Sequence, residues 1–142
     1  MATGFNAESS ITIAAPIEKV WEALTTPEII KQWFFGVDTA TDWKVGSPLV
    51  HTGEYQEKPY VDKGVVERFN PPRLLAHSHW SSGSGLPDAP EHYQHVTYTL
   101  SERGGGTELT MNEVNIPSKE MQTISEQSWA MVLKSLKELL EK

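Results

Sequence analysis

The chain has 142 residues, 38% of them hydrophobic, 9% aromatic and 22% charged, the size and composition of one water-soluble globular domain spanning 1–142. Its formal charge of -7, from 19 acidic against 12 basic residues with no basic cluster, excludes nucleic acid and anionic membrane as expected partners, and no apolar run approaches the roughly 20 residues of a membrane span. The count of 0 cysteines excludes disulfides, thiolate nucleophiles and sulfur-ligated metals together.

Residues 1–10 lack the basic and apolar segments of an export signal, so a cytoplasmic location is expected. Ile11 and Ile13 alternate with Ser10 and Thr12, the period of a half-buried strand. Pro16 then offers a fixed φ at a first helical turn, where no N–H is missed, and Val20, Trp21 and Leu24 recur at helical spacing. Thr25-Thr26-Pro27 interrupts this helix, because the residue before proline is biased away from the α region; Ile29, Ile30 and Trp33 restart the period.

Strands are predicted near 41–43, 48–56, 61–69, 73–80, 92–101 and 107–114, separated by segments rich in residues that stop strands or take positive φ, such as Glu57-Lys58-Pro59 and Arg103-Gly104-Gly105-Gly106. The pattern is a meander of hairpins with one apolar side, clearest at Val96, Tyr98 and Leu100 and at Leu109 and Met111. Loop 81–91 is long for a hairpin connection and carries Gly83, Gly85, Pro87 and Pro90, the composition of a mobile lid or of a surface loop tolerant of length. Ser118 offers an N-cap to a last helix. At about 100° per residue, Trp129, Val132, Leu133, Leu136, Leu139 and Leu140 fall on one arc, with Met121 at its edge. Glu126, Lys134, Lys137, Glu138 and Glu141 fall opposite, and Ile124 and Met131 widen the apolar arc towards contact on two sides.

The histidines carry the only hint of chemistry. His77 and His79 project from one strand face, and His92 and His95 open the next strand, so three imidazoles of this group would approach one another if the hairpin pairs. A His-x-His strand with a third imidazole is one way to bind zinc, but the spacing is generic and the expectation is hydrogen-bonded or surface histidines, with no metal and no cofactor. The chain has no Gly-x-Ser-x-Gly elbow, phosphate loop or His-Glu-x-x-His helix, and no catalytic residue is assigned. Glu67 and Glu113, with His77 and His79, are the groups that acid–base chemistry would call on.

Ala15, Pro16, Val20, Trp21, Ala23, Leu24, Thr25, Pro27, Glu28 and Trp33 match the opening of the family of homologues of the activator of heat-shock protein 90 ATPase, within the START-like (SRPBCC) superfamily. Gly64 to Glu67, Pro72-Arg73-Leu74, Gly106-Thr107 with Leu109, and the last helix extend the resemblance over nearly the whole chain. It implies an α+β helix-grip (START-like) fold: a curved antiparallel sheet of six to seven strands wrapped around a long C-terminal helix, with two short helices after strand one. It also implies a cavity between sheet and helix. Trp33, Phe34 and Phe35 are candidates for the cavity mouth or for core. By analogy with the family, Tyr98, Met111, Trp129, Met131 and Leu133 would line the interior, joined by His77 and His79.

Three functions are compatible with this resemblance. The foremost is a monomer that holds an apolar or aromatic, lipid- or polyketide-like small molecule in the cavity. The others are a cochaperone that contacts heat-shock protein 90 and an enzyme of polyketide cyclase or dehydratase type. Architecture alone does not choose among them.

Overall fold

The computed structural model describes residues 4–55 and 57–142. β1 (Phe5–Ile13) leads to Pro16, whose φ of -61° suits a helix but whose ψ of 152° is extended; it therefore caps α1 (Ile17–Thr25) from outside instead of entering its first turn. Ile17, Val20, Trp21 and Leu24 are buried, the i, i+3, i+4, i+7 stripe of an amphipathic helix. α2 (Pro27–Trp33) starts on its proline, where a missing N–H costs nothing. The Trp33 indole donates to the Ala23 carbonyl at 2.9 Å, so the end of α2 is tied to α1.

The remaining strands are β2 (Asp38–Ala40), β3 (Pro48–Tyr55), β4 (Lys58–Asn70), β5 (Leu74–Ser81), β6 (Gln94–Arg103) and β7 (Gly106–Ile116). They form the expected antiparallel meander in a 7-stranded sheet of order β1-β7-β6-β5-β4-β3-β2. The first strand thus lies beside the last, and α1 and α2 carry the chain across to the far edge. Register shifts between Phe5 and Ala7 and between Val66 and Arg68 mark bulges, which bend strands and curve the sheet. In the β6–β7 turn, Gly104 and Gly105 take φ of 55° and 88° between paired Arg103 and Gly106, the two-residue hairpin geometry that glycine favours.

Three boundaries differ from expectation. The strand predicted at 41–43 lies at Asp38–Ala40, because Trp43 adopts a φ of 58° that no ladder accommodates and places its ring 6.2 Å from that of Phe69. β4 begins at Lys58, with Tyr55 and Lys58 already paired; Pro59 is tolerated because β5 ends opposite Asp62, leaving β4 one free side there. The predicted strand end at Gln56 falls outside the described residues. β6 starts at Gln94, since Pro90–His92 form a 3₁₀ turn instead.

α3 (Lys119–Leu140) is capped as expected, Ser118 Oγ accepting from the Met121 N–H at 3.2 Å. It lies over β1 and β7 and against α1 and α2. Val132, Leu133, Leu136 and Leu140 are buried and meet Ile13, Leu100, Leu109 and Met111 in the core. Two cross-strand rows form the inner face of the sheet: Ala7–Glu113–Val96–His77–Val66 and Ser9–Met111–Tyr98–Leu75–Phe69. Among the described residues no helix is long and apolar enough to cross a membrane.

Candidate functional site

Core packing fills the space beneath the C-terminal half of α3, but not beneath its N-terminal half. There a cavity of about 800 Å³ separates helix from sheet, within the roughly 300–1,000 Å³ range of small-molecule sites. Strand alternation supplies its floor: His51 two residues beyond buried Leu49, His77 and His79 beyond Leu75, Val96 and Tyr98 before Leu100, and Glu113 beyond Met111. Ile124, Ser125, Ser128, Trp129 and Val132 of α3 form its roof, and Phe34 and Phe35 close the end nearest α2. Trp80, Gly83, Ser84 and Leu86 bring loop 81–91 to its rim, where the Trp80 indole donates to the Leu86 carbonyl at 3.2 Å.

Five rings make a closed circuit in this wall. Phe34 stacks on His51 (5.8 Å between centroids, 15° between planes) and His51 meets His77 edge-on (6.4 Å). His77 lies 6.2 Å from Tyr98, Tyr98 meets Trp129 edge-on at 5.8 Å, and Trp129 returns to Phe34 at 5.7 Å and 89°. These are the separations at which aromatic pairs attract beyond their area burial, and they join the turn after α2 to β3, β5, β6 and α3.

Burial disfavours charge on most of the polar groups. The Nδ1–H of His77 donates to the Ser78 carbonyl at 2.9 Å, which leaves Nε2 as an acceptor. Burial lowers the His77 pKa to about 4 against the opposing pull of that hydrogen bond, and burial lowers His79 to about 4. His51 falls to about 3 through burial and then through its histidine neighbours. Burial raises the Glu113 carboxyl, opposed by hydrogen bonds from Ser125 and Trp129, and raises the Tyr98 phenol, with Glu113 adding to the effect. Burial also raises Asp62, against a hydrogen bond accepted from Ser81. The second Asp62 oxygen, Oδ1, is buried with no partner among the described residues.

Of the residues predicted to face the cavity, Phe34, Phe35, His77, His79, Tyr98 and Trp129 converge on it. Trp33 instead belongs to the core and lines only a hollow of about 20 Å³ beside Leu24 and Leu49. Met111 and Leu133 are core residues, 0% and 1% exposed, each on the inner face but covered by neighbours. Met131 is 60% exposed and points away, because at about 100° per residue it lies nearly opposite Leu133 and Trp129 on the helix. The histidine group also differs. His95 alternates with inward-facing Val96 and so lies on the outer face, paired with Glu67 at 2.9 Å, while His92 Nδ1–H donates to the Pro87 carbonyl at 2.9 Å on the cavity rim. The third inward imidazole is His51, which periodicity through Leu49 would have found. Among the described residues no three metal-ligating side chains converge. Of the two glutamates, Glu113 faces in and Glu67, at the β4 bulge, faces out.

Residues 14–141 match the model of a family described as Activator of Hsp90 ATPase homolog 1-like protein. Among solved structures, the chain is similar to ChR145 from Cytophaga hutchinsonii, with 43% identity, a TM-score of 0.85, and coverage of 99% of this chain and 97% of that one. CalU16 from Micromonospora echinospora has 27% identity and a TM-score of 0.74, over 92% of this chain and 73% of that chain. The Aha1 dimer from Colwellia psychrerythraea, at 23% identity, shares the fold with a TM-score of 0.77 and 96% coverage of both chains. No protein of curated function matches.

Proposed function

The chain belongs to the Activator of Hsp90 ATPase homolog 1-like family, and from that premise we propose that it binds a small apolar or aromatic, lipid- or polyketide-like molecule between its sheet and α3. The observation that carries the proposal is the cavity of about 800 Å³ walled by the circuit of Phe34, His51, His77, Tyr98 and Trp129. A planar polycyclic body that buries about 300 Å² of apolar surface there gains about 7.5 kcal/mol at ~25 cal/mol/Å², before the loss of its translational freedom. Carrier or sensor function needs no catalytic group, and Phe34, Phe35, His77, His79, Tyr98 and Trp129 are its contact residues.

One observation favours a second function, acid catalysis of a cyclisation or dehydration. Glu113 is a buried carboxyl on the cavity wall whose protonated form is favoured by burial, the property a general acid needs near neutral pH. Contact with a chaperone has the family name in its favour and no particular residue.

The test is chemical-shift mapping of isotope-labelled protein with polycyclic aromatics, fatty acids and sterols, followed by product analysis. Shifts centred on the Trp129 indole, Tyr98 and Phe34 with ligand recovered intact are the expected result. Conversion of the ligand, abolished by Glu113→Gln, would favour the enzyme; silence of these three residues would overturn binding in the cavity.

A further inference from the structure

The cavity that serves the proposed binding function has a one-sided charge. Glu54, Asp62 and Glu113 line it, and no lysine or arginine does so among the described residues. His51, His77 and His79, the remaining ionisable nitrogens of its floor, supply no positive charge at neutral pH, being held neutral by burial. A carboxylate-headed ligand would therefore meet three acidic side chains and no lysine or arginine, and would lose its hydration with no cation to offset the loss.

One acceptor on the cavity floor lacks a donor among the described residues. His77 Nδ1–H is committed to the Ser78 carbonyl and the Trp129 indole to Glu113, while Asp62 Oδ1 is buried with no donor. Asp62 sits between His51 on β3 and Ser81 on β5, one strand position from the aromatic circuit. A buried acceptor without a donor is a standing cost, and a ligand carrying an N–H or O–H relieves it once the partly exposed Asp62 carboxyl turns that oxygen towards the cavity.

Resting on the binding function proposed above, we infer that the cavity selects its ligand by charge and by donor: it takes a planar apolar body bearing a neutral or cationic hydrogen-bond donor, anchored on Asp62, and rejects anionic amphiphiles such as fatty acids. The ring system lies against Trp129, Tyr98 and Phe34, and its donating group reaches across the floor to β4. A cationic donor gains additionally from the aromatic faces.

Four probes of one shape test this: 1-pyrenemethylamine, 1-pyrenemethanol, 1-methylpyrene and 1-pyrenecarboxylate, titrated at pH 7.5 by pyrene fluorescence and by shifts of the cavity residues. The amine and the alcohol are expected to bind about tenfold or more tightly than the carboxylate, and more tightly than the methyl compound, the scale of one hydrogen bond to a charged group. Asp62→Asn should weaken the amine about tenfold while sparing 1-methylpyrene, which also reports that the variant is folded. A carboxylate that binds as tightly as the alcohol would overturn charge selection, and an amine and alcohol no better than 1-methylpyrene would overturn the Asp62 anchor; in either case the cavity would still bind ligands. If none of the four shifts a cavity residue, ligand binding itself fails and charge selection with it.

Discussion

Trp129 Nε1–H donates to Glu113 Oε1 at 3.2 Å and so ties α3 to β7 across the wall of the cavity. The bond holds the indole edge-on to both Tyr98 and Phe34, and it satisfies part of a carboxyl that is only 4% exposed. Because burial raises the Glu113 pKa, its ionised form is the less stable one in the folded chain, and stability is expected to fall as pH rises from the ordinary glutamate range through the raised value. Glu113→Gln keeps the acceptor for Trp129 and removes the titration. Its stability relative to wild type should rise between pH 5 and pH 8, read from urea midpoints; a constant difference would show that Glu113 is already ionised without penalty.

His77 acts in the opposite direction with pH. Its pKa of about 4 in the folded chain against 6.5 unfolded means that the unfolded state binds the proton first, so stability is lost as pH falls from about 6.5 to about 4 and is complete above that window. The shift corresponds to about 3 kcal/mol for this 6% exposed side chain. His77→Gln is expected to flatten the fall in urea midpoint between pH 7 and pH 4.5. Wild-type and variant curves that run parallel over this range would remove His77 from the acid response.

Helix order, strand alternation and the final apolar stripe were legible because each is a local period: 3.6 residues in α1 and α3, 2 in β3 to β7. The Ser118 cap and the glycine turn at Gly104 and Gly105 were legible because single residues determine them. What escaped was set by tertiary fit. Met131 widens the apolar arc by composition only: two residues from Trp129 it stands about 200° around the helix, and once the sheet takes the Trp129 side Met131 faces water. His95 looked equivalent to His77 until the register of β5 with β6, and the alternation with Val96, placed them on opposite faces. Period 2 from Leu49 places His51 on the inner face, but its partners Phe34 and His77 are distant in sequence, so only the fold shows what it meets there. The missing strand at Trp43 reflects an aromatic used for packing from a left-handed backbone, which β-propensity cannot foresee.

The two opposite faces of α3 give a paired prediction. Leu133 is 1% exposed and Met131 60% exposed, since two residues apart on a helix they stand about 200° around its axis from one another. Leu133→Ala should cost about 2–5 kcal/mol through lost transfer energy and the void left against Met111 and Leu109, whereas Met131→Ala should stay within about 0.5 kcal/mol. Urea unfolding with an unchanged m-value measures both. Equal losses would mean that α3 is rotated about its axis from the orientation described.

Thr107 closes the joint between β1 and α1. Its side chain is 0% exposed and its Oγ1–H donates at 2.8 Å to the carbonyl of Ala15, itself buried, so β7 fixes the chain just before Pro16 turns it into the helix. Thr107→Val preserves shape and removes the donor, which strands the Ala15 oxygen away from water at a cost of about 1–3 kcal/mol. Thr107→Ser keeps the donor and loses one methyl, about 0.8 kcal/mol. The serine variant is therefore expected to unfold at a higher urea concentration than the valine variant. The reverse order would show that packing of the methyl, not the hydrogen bond, secures the joint and with it the path of α1 and α2 towards the cavity end at Phe34.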